Sequence, residues 1–362
     1  MPAPVRDLIL TPEEVRFRIS AEPVFNALQS MVLLSMAEEL SGLDDWIVQT
    51  ARDLPEEVMQ KHILILFGLH YAVIPKRSFD DFEAYLKHLR TVNPRDLRDQ
   101  LLDMYLSIPP REGTADELIA PSKETVLKDV QTFLTVLRSR FDDEVIDEKV
   151  ERPAFELLRN PEQMRSEIVD HLSMMWKDYL EDEFQRRQPM IDETVAAFNK
   201  FDLQTMNDEE AVRFVTGQWN EKMSDYLSKH EQIVFVPSPH TGPYSRTYSG
   251  DDTLWVIFNC RLPEGAPQSA SRLSRAELLV WLSALADDTR LQILALLKEH
   301  DELCAQDIIP MLETSQSTAS RHLRQLTASG YIHEQRKEAG KCYRLNAERF
   351  QDTINALETL LV

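Results

Sequence analysis

Two periods of hydrophobic and polar residues follow one another at the start of the chain. Val15, Phe17 and Ile19 are separated by single polar residues, a period of two that predicts a short, half-buried strand. From Pro23 to about Lys229 the apolar residues recur every three or four positions, which is the period of an amphipathic helix. The pattern therefore predicts a large front domain that is mainly helical.

Two further strands are predicted near the end of this domain. Residues 232–236 (QIVFV) and 253–260 (TLWVIFNC) are rich in β-branched and aromatic side chains. The sequence PSPHTGPYSRTYSGDD between them is typical of a long loop, and LPEGAPQSAS at residues 262–271 has the composition of a linker. We therefore assign residues 1–261 to the front domain, 262–273 to a linker and 274–362 to a C-terminal domain.

The C-terminal domain has the element order of a winged helix-turn-helix. Asp287 is placed to cap the helix DTRLQILALLKEH, and a short helix is predicted over residues 305–312. Ser315 can cap a longer helix over residues 316–329, and Gly330 stands where a left-handed residue ends it. A hairpin around KEAGK and a last helix follow. We predict a mainly α protein, with a large N-terminal helical domain, a few short strands and a C-terminal winged helix-turn-helix domain.

The helix over residues 316–329 has one face for the core and one for a ligand. Ala319, Leu323 and Leu326 form an apolar stripe, and polar side chains occupy a separate sector. Short donors and acceptors on such a helix reach base edges in the major groove, and arginine reaches guanine or phosphate. On this helix the residues predicted to contact DNA are Gln316, Ser317, Thr318, Ser320, Arg321 and Arg324. On the hairpin, the residues predicted to lie along the phosphate backbone or minor groove are Arg336, Lys337, Lys341 and Arg344.

The charge of the chain is unevenly distributed. The formal net charge of -21 argues against a protein that coats nucleic acid without regard to sequence, because such binding depends on Lys and Arg. Residues 315–349, however, include seven basic and three acidic residues. Salt screens exposed charges beyond roughly 8–10 Å, so this local basic surface can still meet a phosphate backbone.

The cysteines and the apolar runs indicate the cellular compartment of the protein. Cys260, Cys304 and Cys342 are far apart and form no CxxC pair, so neither a disulfide framework nor a zinc ribbon is expected. We expect Cys304 to be a small, buried apolar residue. The start MPAPVRDLIL lacks the order of a signal peptide, and the longest apolar run, residues 63–74, is too short to span a bilayer. These features predict a cytoplasmic protein without a membrane segment.

Two stretches of the C-terminal domain carry a family resemblance. LADDTRLQILALLKE is similar to the opening LADPTRLRILxLL of the ArsR family of bacterial winged-helix regulators, and SQSTASRHLRQLTASGYI resembles that family's recognition helix and its exit. The resemblance implies a homodimer on a pseudo-palindromic DNA operator, with the helices near Leu278 and Thr353 at the two-fold interface. The family's recognition positions correspond here to Gln316, Ser317, Thr318, Ser320 and Arg321. We expect a repressor.

The chain departs from the family in the residues that bind metal ions. Metal-sensing members carry ELCVCDL, whose two nearby cysteines bind thiophilic ions, whereas this chain has ELCAQDI at residues 302–308. Gln306 replaces the second thiol, and one thiolate cannot form the polydentate site that such metals need. The last helix, ERFQDTINALETLL, has no histidine for a carboxylate-imidazole site. We therefore predict no metal and no cofactor.

The role of the front domain is open to three hypotheses. In VRFRIS, its helical body and PSPHTGPY it resembles the uncharacterised domains that precede ArsR-type modules in some long bacterial regulators. It is predicted to be a sensor or dimerisation platform, with room for an unknown small-molecule effector. An enzyme would use His240, Tyr244 and Tyr248 as acid-base candidates, but no nucleophile motif, P-loop or metal cluster supports catalysis. A protein-interaction module without DNA binding predicts a neutral hairpin, whereas this one is basic. We favour a regulator and not an enzyme.

Overall fold

The computed structural model describes residues 15–111, 113–142, 146–219, 221–263, 272–337 and 340–361, without the side chains of 117, 221, 222, 272–277 and 359–361. The predicted fold class is confirmed, since the described chain is mainly helical with a few short strands. The domain boundaries stay a prediction, because linker residues 264–271 lie outside the described residues. Among the described residues no helix is both long and apolar enough to cross a membrane.

The helices of the front domain agree with the predicted helical period. The first seven are α1 (Pro23–Ser35), α2 (Asp45–Asp53), α3 (Glu56–Ile63), α4 (His70–Val73), α5 (Phe82–Thr91), α6 (Pro94–Ser107) and α7 (Asp116–Ile119). The next seven are α8 (Lys123–Val126), α9 (Val130–Arg138), α10 (Glu148–Arg159), α11 (Pro161–Met175), α12 (Glu181–Phe198), α13 (Asp208–Thr216) and α14 (Glu221–Leu227). A π-helical turn, Leu64–Gly68, continues α3, and a second, Trp176–Leu180, joins α11 to α12.

A four-stranded sheet closes the front domain. Its strands are β1 (Phe17–Ile19), β2 (Gln232–Ser238), β3 (Arg246–Ser249) and β4 (Thr253–Asn259), in the order β1-β2-β4-β3. Strands β1, β2 and β4 are parallel, and β3 is antiparallel to β4. The segment predicted as a loop between β2 and β4 therefore contains a strand. Four residues between turn-forming neighbours are too few for a periodic signal.

Both faces of this sheet are covered, which explains why β2 and β4 have nearly continuous apolar runs. On one face Trp255 packs into the helical body, where its ring stacks on Phe25 of α1 with 4.2 Å between centroids. On the other face Phe235 and Phe258 pack with Val212 of α13. The sheet thus holds the helical body and the α13–α14 segment together.

The C-terminal domain has the predicted winged-helix elements and one unpredicted strand. Its helices are α15 (Arg272–Leu285), α16 (Asp288–His300), α17 (Ala305–Met311), α18 (Gln316–Ala328) and α19 (Ala347–Leu361). Its strands are β5 (Glu302–Cys304), β6 (Ile332–Lys337) and β7 (Gly340–Leu345), in the order β5-β7-β6. The hairpin β6–β7 is the predicted wing, and β5 pairs with it on the β7 side.

Candidate nucleic-acid interface

The turn between α15 and α16 fixes the frame on which α18 sits. Asp287 caps α16 by accepting a hydrogen bond from the Arg290 backbone nitrogen at 3.0 Å, as predicted. The buried Arg290 guanidinium donates to the carbonyls of Ala284 and Ser283 at 2.6 and 2.8 Å, and so holds the end of α15. Its Nη1 lies 3.4 Å from Nδ1 of the buried His322 on α18. Through Asp287 and Arg290, the sequence DDTR (residues 287–290) therefore connects α15, α16 and α18.

Helix α18 presents the predicted polar face to solvent. Its cap is Ser315, whose hydroxyl accepts from the Thr318 backbone nitrogen at 3.2 Å. Ala319, Leu323 and Leu326 are buried. The exposed residues are Gln316, Ser317, Ser320, Arg321 and Arg324, and Thr318 is half-buried with its hydroxyl 2.8 Å from that of Ser315. Hence α18 has an apolar side fixed in the core and an outward side of hydrogen-bonding groups.

The end of α18 is fixed by glycine. Gly330 has φ +79°, the left-handed conformation that commonly ends a helix, as predicted. The Tyr331 backbone nitrogen donates to Leu326 O at 3.0 Å, so the chain turns directly from α18 into β6. The wing is thereby held next to the exposed face of α18.

The cations of the wing are exposed, but three of them have acidic partners. Lys337 and Arg344 both donate to the Glu302 carboxylate, Arg344 at 2.6 Å. Lys341 lies 2.9 Å from Glu334. Arg336 is exposed as well. The sequence predicts that these cations contact phosphate or the minor groove. It does not reveal Glu302 as a partner, because Glu302 precedes Lys337 by 35 positions and Arg344 by 42.

The cysteines correct one expectation. The sequence predicts that Cys304 is a buried apolar thiol without a disulfide, but the structure shows it bonded to Cys342. The two residues lie directly opposite each other on the antiparallel strands β5 and β7, a pairing that sequence spacing does not reveal. In this structure Cys304 therefore offers no thiolate to a metal. Cys260 is a buried free cysteine, and burial raises the pKa of its thiol to about 12.

The two helices expected at a dimer interface lie side by side. Leu278 of α15 and Thr353 of α19 are themselves buried within the subunit, and the Thr353 hydroxyl is 2.8 Å from that of Tyr331. Their neighbours Leu279 and Ile354 are 58% and 48% exposed. The α15–α19 pair thus presents large apolar side chains to solvent.

The front domain contacts the C-terminal end of α18, a contact that the sequence did not predict. Gln218, just after α13, donates through Nε2 to Pro243 O at 2.9 Å and also to Ala328 O on α18. Gly42 lies so close to α18 that a Cβ there would be 2.6 Å from Nε2 of Gln325. The loop PSPHTGPY therefore lies close to the C-terminal end, or base, of α18.

The three residues considered for catalysis are engaged within the fold. His240 is buried, with Nδ1 2.8 Å from the Ser30 hydroxyl and Nε2 3.2 Å from Oε1 of Glu183. The Tyr244 hydroxyl donates to Ser41 O at 2.8 Å, and that of Tyr248 to Oε1 of Gln29 at 2.9 Å. The structure does not bring the three side chains to a common open site; each has its own partner.

Comparisons with known proteins match the C-terminal domain. Residues 287–334 match the family model described as bacterial regulatory protein, arsR family. The arsenic resistance transcriptional regulator ArsR1 of Pseudomonas putida is 42% identical over 69 residues, or 19% of this chain and 54% of that protein. The transcriptional activator HlyU of Vibrio cholerae is 31% identical over 99 residues, or 27% of this chain and 91% of that protein. The arsenical resistance operon repressor of Escherichia coli is 44% identical over 62 residues, or 17% of this chain and 53% of that protein.

These matches agree with the resemblance found in the sequence. The chain spans about half the length of the two arsenic-resistance relatives and nearly all of HlyU. The family-model match begins at Asp287, the cap of α16, and includes the whole of α18. The family model covers residues of the C-terminal domain only and does not identify the front domain. The chain therefore belongs to the ArsR family of bacterial regulatory proteins.

Proposed function

We propose that the protein is a DNA-binding transcriptional regulator that occupies an operator as a homodimer, represses transcription and is controlled through its front domain. The observation that carries this proposal is the exposed polar face of α18, whose opposite face is anchored in the core. A helix mounted in this way can enter the major groove while the wing lies along the backbone. The relatives that it matches are named as transcriptional regulators, which supports the same function.

The dimer is supported by the apolar surface of α15 and α19. Leu279 and Ile354 are each about half exposed on neighbouring helices. Exposed apolar patches with polar rims are typical of protein interfaces, and most homodimers use one surface twice around a two-fold axis. A second copy packed on these helices would bury both side chains and present two copies of α18 to one side.

The direct test is footprinting of the purified protein on genomic DNA, combined with a reporter under the recovered promoter. We expect protected half-sites related by a dyad, with centres one helical turn apart, about 34–36 Å, or a multiple of it. We also expect reporter transcription to fall when the protein is supplied. Uniform protection without preferred sites would contradict the proposal, and a rise in transcription would contradict repression.

The wing permits a prediction about its acidic partner. Replacing Glu302 by glutamine removes the carboxylate that accepts from Lys337 and Arg344. Both cations then become available to phosphate, so binding to DNA of any sequence is expected to strengthen severalfold at low salt. Each additional phosphate contact steepens the dependence of log affinity on log salt concentration by about 0.9. Fluorescence anisotropy with a random duplex over a series of salt concentrations measures both effects.

Glu348→Gln is the matched control. Glu348 is an exposed glutamate in the first turn of α19, so this variant changes the net charge by the same amount outside the wing sheet. If the two variants gained the same affinity and the same salt dependence, the Glu302 carboxylate would not compete with DNA for the wing.

A further inference from the structure

A small cavity lies where the front domain meets the base of the recognition helix. Its volume is about 40 Å³, several times the roughly 10–15 Å³ that admits one water. It is lined from the front domain by Gln218, Tyr244 and Arg261, and from the C-terminal domain by Trp281, Ser329 and Arg349. Phe258 and Asn259 place it at the carboxyl end of β4, and open sheets with parallel strands usually bind their ligands at that end.

Two donors at this cavity have no acceptor within the part of the chain that the structure describes. The Ser329 hydroxyl is one, on a side chain that is only 4% exposed. The other is Nε of Arg349. Burying a hydrogen-bonding group without a partner is unfavourable, and such groups usually indicate a missing ligand, ion or water. Both groups can donate, so the matching ligand offers acceptor oxygens.

The guanidinium of Arg349 is held in place at the cavity. It lies over the Trp281 ring, 4.7 Å from the centroid, and Nη2 donates to Gly217 O at 3.4 Å. Gly330 leaves room for it, because a Cβ there would be 2.9 Å from Nε of Arg349. Asp352 lies 3.9 Å from Nη1, but its side chain is 54% exposed, so water screens this pair.

The C-terminal end of α18 would repel an anion if its carbonyls were free. They are not, because Leu326 O, Thr327 O and Ala328 O accept hydrogen bonds from Tyr331 N, Gly330 N and Gln218 Nε2. Among the described residues that line the cavity none is acidic, and the guanidinium of Arg349 contributes a positive charge. The local electrostatics therefore favour a negative ligand, although the chain as a whole is acidic.

We propose that this cavity binds a small oxyanion, a carboxylate or phosphate group, between the Arg349 guanidinium and the Ser329 hydroxyl. The ligand would link the acidic front domain to the base of α18. Only the effect on DNA rests on the proposed function: with the front domain held there, repulsion of phosphate rises and operator affinity falls. Because linkage is reciprocal, operator DNA would weaken anion binding by the same factor.

The binding step is tested on the full chain by calorimetric titration with sodium phosphate and, separately, sodium acetate, against sodium chloride at equal ionic strength. We expect saturable binding of one of the two oxyanions, which distinguishes phosphate from carboxylate. Arg349→Gln is expected to weaken it by about tenfold or more, since it removes charge-assisted hydrogen bonds. Arg349→Lys keeps the charge but loses the planar guanidinium, so its affinity for the oxyanion should lie between that of the wild type and that of Arg349→Gln.

Two further variants keep this test decisive. Ser329→Ala removes a hydroxyl that has no hydrogen-bond partner among the described residues, so it should leave the melting temperature in chloride unchanged and weaken binding of the anion severalfold. Arg95→Gln removes one charge from an exposed position of α6 outside the cavity and should bind as the wild type does. Absence of saturable binding to wild type, or equal binding by Arg349→Gln and Arg95→Gln, would overturn the site.

The coupling to DNA is measured separately, as operator affinity with and without the bound oxyanion at equal ionic strength. A severalfold loss in wild type that is absent in Arg349→Gln supports the regulatory role. Unchanged operator affinity in the presence of a bound anion would overturn that role and leave the site itself standing. Operator binding in chloride alone tests the proposed function without any anion.

Discussion

Replacement of Arg321 by alanine is expected to lower affinity for the cognate operator by about 1–3 kcal/mol and to relax the preference for one base. Arg321 is exposed on the outward face of α18, one turn beyond Ser317. From this position its guanidinium can pair with O6 and N7 of a guanine, and such bidentate pairs account for most direct discrimination between bases. Titration of the operator and of single-base variants measures both effects.

Lys341→Ala is expected to lower DNA affinity without changing the preference for a base, in contrast to Arg321→Ala. Lys341 lies on the wing and is predicted to contact phosphate, so its loss should weaken all sequences alike and flatten the salt dependence by roughly one. Its ion pair with Glu334 makes this effect smaller, because the cation already has a partner. The assignment of the α18 face to DNA would have to be abandoned if Arg321→Ala bound every duplex as wild type does.

Local signals in the sequence located most elements of the DNA-binding domain. Asp287 and Ser315 cap their helices and Gly330 ends α18, and each of these interactions joins residues at most five positions apart. In the front domain Asn93, Ser122 and Asn160 also cap helices, as hydroxyl and amide side chains do at helix starts. Residue type and spacing determine such contacts, and a single sequence contains that information.

Contacts between distant segments were not predictable in this way. The bond between Cys304 and Cys342 depends on the register of β5 against β7, and β5 is only three residues long. The ion pairs of Glu302 with the wing follow from the same register. The contact of Gln218 with Ala328 joins two domains across 110 positions. Each requires the tertiary arrangement first, because periodicity describes one element at a time.

A buried ionic network that includes His240 of the PSPHTGPY loop leads to another prediction. Glu183 of α12 is 5% exposed, and its Oε1 accepts from Nε of Arg187 at 2.7 Å and lies 3.2 Å from Nε2 of His240. Oε2 accepts from Nε of Arg186 at 2.7 Å. Arg187 also donates to both oxygens of Asp44, at 3.0 and 2.9 Å. The network thus connects α12, the cap of α2 and the loop that touches the recognition helix.

Glu183→Gln is expected to lower the free energy of unfolding of the front domain by about 3 kcal/mol at neutral pH. Breaking a buried ion pair leaves a charge without compensation and typically costs about 3–5 kcal/mol, and the exposed Arg186 can turn to water, so the lower end applies. Glu209→Gln is the matched control, because Glu209 pairs with Arg213 on the surface of α13. Such exposed pairs contribute about 0.3–0.5 kcal/mol. Urea denaturation followed by tryptophan fluorescence compares the variants.

The same network predicts a pH dependence. Burial acts to raise the pKa of the Glu183 carboxyl, but hydrogen bonds from His240, Arg187 and Arg186 outweigh it and lower the pKa from 4.5 to about 2. A carboxyl whose pKa is lower in the folded state stabilises the fold above its unfolded pKa, and this contribution is lost as the pH falls from about 4.5 toward 2. The stability difference between wild type and Glu183→Gln should therefore narrow between pH 5 and pH 3, whereas that for Glu209→Gln should change little. A constant difference for Glu183→Gln across this range would mean that its charge does not hold the network together.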